Sequence, residues 1–202
     1  MKQSLTELFQ RRFACHLFQP ERAIPAADLE YILEAGRLSP SSFGLEPWKF
    51  VVVQSHDLKL ALQTACFQQA QVGTASAVIV ILAKLAELSP DSEYAQRLLA
   101  REYPGDQYAM ALANYRNFCA ATDLRAWSVT QCHIAAANMM TATTALGLDS
   151  CAIGGFLPDQ VKQVLHIDSA RYEVALVLPI GYCTETPHEK RRLPLADLVD
   201  YR

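Results

Sequence analysis

Two short cationic clusters stand near opposite ends of the sequence, Arg11-Arg12 and Lys190-Arg191-Arg192. Either alone is more often solvated surface. Brought together, they could hold a phosphate group by charge-assisted hydrogen bonds. Ile153-Gly154-Gly155-Phe156 directly follows a strand-like run. Paired glycines there let a ligand approach the backbone and offer bare N–H donors, although a tight turn ahead of Pro158 would use them just as well. Pro40-Ser41-Ser42 lies between a helical pattern and a buried strand. Such a small polar loop can lie flat under a planar ring while its hydroxyls reach the ring's polar edge.

Self-contained catalytic groupings are missing. Cys15-His16 and Cys132-His133 are adjacent pairs, whose side chains diverge on a helix or a strand, so a Cys/His dyad is a weak idea. The histidines at 16, 56, 133, 166 and 188 show no metal-ligand spacing. There is no G-x-S-x-G, phosphate-binding P-loop or G-x-G-x-x-G. A chain with a good core and no evident acid, base or nucleophile often borrows its chemistry from a bound cofactor.

The elements that must position these groups alternate along the chain. Of the 202 residues 51% are hydrophobic and the net charge is -3, which suits an ordinary globular protein with a sizeable core. A pI near 5.9 and the lack of Lys/Arg runs argue against nucleic acid. The longest apolar run, Ala77–Ala83, is too short to span a bilayer. MKQSLTELFQRRF lacks the apolar stretch of a signal peptide, so a cytoplasmic protein with its six cysteines (15, 66, 119, 132, 151, 183) reduced is expected. Strands are predicted at Trp48–Gln54, Ala77–Ala83, Asp149–Ile153 and Tyr172–Gly181. Helices are predicted from Ile24 to Ser39 and from Asp57 to Gln69, with further helical segments between 91 and 124. A long helix runs from Trp127 to Leu146, apolar on every face and closed by Gly147. The whole is predicted to be one α+β domain, 1–202. Tyr115 and Phe118 form either an aromatic lid or a packed helix face.

RRFACHLF, SPSSFGLEPWKFVVV, ALGLDSCAIGGF and EKRRLP, in this order and at this spacing, together resemble the nitroreductase family of FMN-dependent NAD(P)H oxidoreductases. Each motif is weak alone, but the combination is specific and covers essentially the whole chain. The resemblance implies a central, mostly antiparallel sheet flanked by helices, with the long helix buried at a homodimer interface. It implies that Arg12 with Lys190 and Arg192 holds the FMN phosphate, and that the neighbouring Phe13, Ala14 and His16 also line the cofactor site. Pro40, Ser41 and Ser42 would pack on the flavin ring of the partner subunit, and Gln131 would reach that ring across the interface. Gln68 and Gln71 match positions at the pyrimidine edge, and Ile153, Gly154 and Gly155 match the segment near flavin N5.

The implied activity is ping-pong electron transfer from NAD(P)H through FMN to nitroaromatic, quinone or similar small acceptors. No side chain is expected to act as a catalyst, and no metal is expected. The alternatives are a non-catalytic FMN-binding or regulatory protein, a divergent flavin chemistry such as flavin destruction or dehalogenation, and a plain interaction protein. The chain departs from many relatives where Ala14 and His16 replace a serine and a basic residue. Gln71 stands where some carry lysine, and Gly154 where others carry glutamate. A protonated His16 would then be the one candidate cation at the flavin's charged pole.

Overall fold

In the strand Ala77–Lys84 every residue but the last is buried, because alternate side chains enter two different cores. Val78, Val80 and Leu82 face one side; Ala77, Ile79, Ile81 and Ala83 face the other. The computed structural model describes residues 5–202. Its strands are β1 (Trp48–Val53), β2 (Ala77–Lys84), β3 (Asp149–Ser150) and β4 (Tyr172–Gly181), in the antiparallel order β1-β2-β4-β3. The helices are α1 (Leu5–Arg11), α2 (Ala26–Arg37), α3 (His56–Ala65), α4 (Ala70–Thr74), α5 (Glu93–Glu102), α6 (Gln107–Ala121), α7 (Leu124–Ala145) and α8 (Pro158–Val164). This is the expected helix-flanked antiparallel sheet. The predicted strand at Asp149–Ile153 is shorter, continuing only as an isolated bridge between Ile153 and Val177.

On one face Leu62 of α3, Val72 of α4 and Val161 of α8 pack with Phe13 and Phe18 against Val78, Val80 and Val174. On the other, α2 and α7 cover Ile79, Ile81 and Leu178 with Ile32, Ala135, Ala136 and Met139. Gly36 lets these two helices meet, since a Cβ there would lie 2.3 Å from Met139 Cε. A third cluster joins Leu45 to Leu88, Leu98, Leu99 and Tyr115 of the α5–α6 region. Tyr115 is fully buried and donates to Leu88 O at 2.6 Å, so it belongs to a packed helix face and not to a lid.

α7 begins three residues earlier than its apolar pattern suggests. Asp123 is the reason: its carboxylate accepts from the backbone N–H of Arg125 and Ala126. Gly147, at φ 79, closes the other end as expected, with Leu148 N–H bonded back to Thr143 O. A single chain covers only one face of α7. Cys132, Ala135, Ala136, Met139 and Thr143 are buried, whereas Thr130, His133, Ile134 and Ala137 remain exposed. The helix is therefore not enclosed on all sides by its own chain. Among the described residues no helix is long and apolar enough to cross a membrane.

Both chain ends return to the far edge of the sheet. Ala14 bridges Ser150 in parallel, and Phe18 bridges Cys183 antiparallel. A disulfide joins Cys15 to Cys183, which corrects the expectation that all six cysteines are reduced. Nothing local in the sequence signals this pairing, because the partners are 168 residues apart and only the two bridges align them. Cys66, Cys119, Cys132 and Cys151 are free.

Candidate functional site

The N-terminal segment along β3 and the tail beyond β4 meet around a cavity of about 690 Å³ lined by Arg12, Phe13, Ala14, His16 and His188 to Arg192. The two basic clusters, far apart in sequence, thus converge. Lys190 anchors the junction: its ammonium donates to Arg12 O at 2.6 Å and to Phe9 O. Burial lowers the pKa of Lys190 from its ordinary value, and the neighbouring Arg12 and Arg192 add to that. A surface with such self-repulsion is a ready anion site. Arg11 does not share it. Its guanidinium donates to Thr144 O at 2.8 Å, in the last turn of α7, and lies 3.9 Å from Asp149. His16 is exposed, with its Nδ1 3.9 Å from Glu185 Oε2.

The Gly154-Gly155 loop follows β3, the edge strand whose Ser150 is bridged by Ala14 of the cavity lining. Ile153 is buried and bonded to Val177, while both glycines are exposed. Neither glycine N–H donates to another group among the described residues, which leaves them bare as the motif suggested. A Cβ on Gly154 would meet nothing within 4 Å, so no crowding by the chain itself demands glycine there.

Gln71 is buried on α4 and donates to Gln69 Oε1 at 3.0 Å, and its amide lies 3.9 Å from Cys151 Sγ. Burial raises the Cys151 thiol pKa, against the opposing effects of Gln71 and Arg12. Gln68 is exposed, and its side-chain amide donates to Thr64 Oγ1 at 3.4 Å. The residue missed by sequence reasoning is Gln69, whose amide donates to both Cys66 O (2.9 Å) and Gly155 O (2.8 Å), tying this turn to the glycine loop. The missed signal is backbone: Phe67 and Gln68 sit in the left-handed region at φ 56 and φ 59, which breaks helical periodicity within FQQAQ.

Pro40, Ser41, Ser42 and Gln131 form a separate group. Ser42 N–H donates to Gln131 Oε1 at 2.9 Å, and Glu46 N–H donates to Ser41 Oγ at 2.9 Å. This loop is also strained, with Phe43 at φ 58 and Glu46 at φ 42. Its underside is held by Arg101 on Gly44 O (3.1 Å) and the Glu46 carboxylate (2.7 Å), and by Tyr94 OH donating to Leu45 O and Glu46 O. Lys84 donates to Glu46 O at 3.2 Å and also contacts Tyr94 OH; burial pulls its pKa down to about 8. Phe43 adds an aromatic anchor, 5.2 Å from the rings of both Tyr115 and Phe118. No hydrogen bond among the described residues joins this group to the basic cavity.

The family model described as Nitroreductase family matches residues 9–182. A relative in Staphylococcus haemolyticus that carries the name NAD(P)H nitroreductase is 35% identical, covering 100% of this chain and 98% of its own. YfkO of Bacillus subtilis, named in the same way, is 34% identical at the same coverage. Among solved structures, the nitroreductase YdfN of Bacillus subtilis superposes with a TM-score of 0.83 at 25% identity, covering 98% of both chains. A nitroreductase of Exiguobacterium sibiricum solved in complex with FMN also gives 0.83, at 23% identity, over 99% of this chain and 98% of its own. A match this continuous, on a sheet and helices that agree in three dimensions, leaves one conclusion: the chain belongs to the nitroreductase family.

Proposed function

We propose that the chain, as one unit over 1–202, is an FMN-dependent NAD(P)H oxidoreductase that works as a homodimer on small electron acceptors such as nitroaromatics or quinones. The observation that carries this reading is the convergence of Arg12, Lys190 and Arg192 on one cavity, with two bare glycine N–H groups on the loop that follows β3. That donor set suits FMN: fixed cations for a phosphate, and backbone donors with no side chain in the way for a flat ring. The NAD(P)H nitroreductase names of the relatives and the FMN in the Exiguobacterium structure point the same way.

When bound, FMN would supply the hydride chemistry in two half-reactions, NAD(P)H leaving before the acceptor enters. The residues of the chain would bind, orient and exclude water. Arg12, Lys190 and Arg192 would hold the phosphate, and Gly154 and Gly155 would present N–H donors. Ser41 already accepts at Oγ from Glu46, so its own hydroxyl proton is free to be donated. Gln131 spends its carbonyl on Ser42 and keeps its amide hydrogens for a ligand.

The dimer reading rests on α7. Gln131 lies in its first half and Thr144, which holds Arg11, near its end, about 20 Å further along the axis. A two-fold axis across the open face of Thr130, Ile134 and Ala137 would pair α7 with its copy antiparallel and bring the loop of one chain toward the basic cavity of the other. The tail's exposed Leu193, Leu195, Leu198 and Tyr201 offer further apolar surface for a partner.

Anaerobic reduction with NADH and NADPH in parallel, read at the flavin band, tests the proposal. The purified protein should be yellow, release FMN on denaturation and bleach with at least one nicotinamide. A protein that holds FMN and never bleaches would be a binding protein instead. A colourless protein that cannot be reconstituted with FMN would overturn the reading.

A further inference from the structure

One cluster among the described residues has the donor atoms of a metal site and no part in the reading above. Cys15 Sγ, Cys183 Sγ and a Glu185 carboxylate oxygen all lie within 4.8 Å of one another. Glu185 Oε2 is 3.7 Å from Cys183 Sγ and 3.9 Å from His16 Nδ1, and the His16 backbone N–H pins the same oxygen at 2.6 Å. The two sulfurs are presented by segments already joined through their backbones. Gln19 N–H donates to Tyr182 O at 2.8 Å and Thr184 N–H to Leu17 O at 3.0 Å, either side of the Phe18–Cys183 bridge. Breaking the covalent link would therefore leave the two thiols facing each other. One flank is closed by buried Cys15, and the other is open at exposed His16 and Glu185.

We propose that Cys15, Cys183 and Glu185 bind a zinc-class cation in the reduced protein, with a water or a reoriented His16 as the fourth ligand, and that the disulfide is the oxidised, metal-free form of the same site. Zn²⁺ takes sulfur at about 2.3 Å and nitrogen or oxygen at about 2.0–2.1 Å in a tetrahedron. The corresponding edges are about 3.5 Å for S···O and about 3.4 Å for N···O. The observed 3.7 Å between Cys183 Sγ and Glu185 needs only a small adjustment, while the freed sulfurs part to about 3.8 Å; His16 Nδ1, 3.9 Å from Glu185, must turn inward to serve as the fourth ligand. A cytoplasm disfavours a standing disulfide. Two half-enclosed thiols beside a carboxylate gain from a cation that deprotonates both.

The chemistry balances in both directions. A phosphine passes two electrons to the disulfide and leaves as its oxide, one water supplying that oxygen and the two thiol protons; a dithiol instead gives up its own two protons with the electrons and leaves as a disulfide. Zn²⁺ then displaces both thiol protons. In reverse, a small-molecule disulfide accepts two electrons and two protons to become two thiols as Cys15–Cys183 reforms and the metal departs. The two forms exclude each other, because a sulfur in the disulfide has no thiolate to offer.

The test uses the full chain, reduced anaerobically with a phosphine and freed of metal, then titrated with Co²⁺. Its tetrahedral d–d bands lie in the red, beyond flavin absorption. Reduced wild type should develop these bands to one equivalent per chain and lose them to Zn²⁺, while the disulfide form develops none. Losing a partner of a metal ligand costs about 10–100-fold in affinity, so Glu185→Gln, which removes an exposed ligand outright, should cost at least that, and Cys183→Ser should abolish the thiolate signature. Thiol counting gives a second readout should Cys183→Ser misfold: Zn²⁺ should protect two of the six cysteines of the reduced chain. Absent red bands in reduced wild type, equal bands in the disulfide form or in Glu185→Gln, or a thiol count unmoved by Zn²⁺ would each overturn the proposal.

Discussion

Gln131 Oε1 accepts from Ser42 N–H at 2.9 Å, which fastens the Pro40-Ser41-Ser42 loop to α7 of the same chain. Gln131 thus has two separable duties, an acceptor for the loop and an amide donor for a ligand. Gln131→Glu keeps the acceptor and removes the donors; Gln131→Leu removes both. Leu should lower stability by about 0.5–1.5 kcal/mol, the net worth of one hydrogen bond, whereas Glu should hold stability and still weaken FMN binding. Chemical denaturation of each variant beside FMN titration checks this. Equal FMN affinity in Gln131→Glu and wild type would confine Gln131 to the loop.

Arg192→Ala should weaken FMN binding by about 1.5–3 kcal/mol, roughly ten- to 150-fold in Kd, because a charged partner of the phosphate is lost. Arg11→Ala is the instructive comparison. Its guanidinium is committed to Thr144 O and Asp149, so it should cost stability and leave FMN affinity near wild type. Fluorescence titration, with Tm measured in parallel, separates the two arginines. Equal losses of affinity would mean that the cavity does not distinguish them.

How much of this was legible in the residues themselves varies by cause. β4 is found at the predicted Tyr172–Gly181, because a continuous apolar run covered on both faces has few other structures open to it. The convergence of Arg12 with Lys190 and Arg192 was readable as chemistry, but only the edge pairing of both chain ends makes it a cavity. The Cys15–Cys183 pairing had no local signature. Gln69 was overlooked for Gln68 because two positive-φ residues rotate that turn against its periodicity. Which face of α7 the chain leaves open was not legible, although a partner on this helix was expected, since alanine and threonine suit a buried face and a partner-covered face alike.

Lys84 should give the protein a distinctive alkaline profile. Burial lowers its pKa from the ordinary 10.5 to about 8. Between these values the unfolded chain binds the proton that the folded one has released, so this contribution to stability rises with pH, is complete above about 10.5 and is lost as pH falls to about 8. Buried Cys66 and Cys132, raised to about 11 and 12, act in the opposite sense above about 9. A comparison with Lys84→Met removes that background. The stability difference should move toward wild type by about 1.4 kcal/mol per pH unit at most between pH 8 and 10. Urea melts at half-unit steps would show it, and parallel curves would mean that Lys84 titrates as an exposed lysine.

The open face of α7 decides whether the two groups of site residues ever meet. If a second copy covers Ile134 and Ala137, a charge there is buried against its own symmetry mate, which opposes association twice per dimer. Ile134→Asp should therefore shift sedimentation from dimer to monomer. An interface on this helix, with the tail, should exceed about 2,000 Å², so the wild-type dimer should persist at low micromolar concentration. FMN should leave with the partner, because the monomer retains Arg12, Lys190 and Arg192 but lacks the other chain's Ser41, Ser42 and Gln131. Ile134 is 39% exposed in the single chain, so the substitution has little to disturb in the chain's own core. A monomeric Ile134→Asp that binds FMN like wild type would place the whole cofactor site within one chain. A dimer unaffected by the substitution would move the interface to another surface.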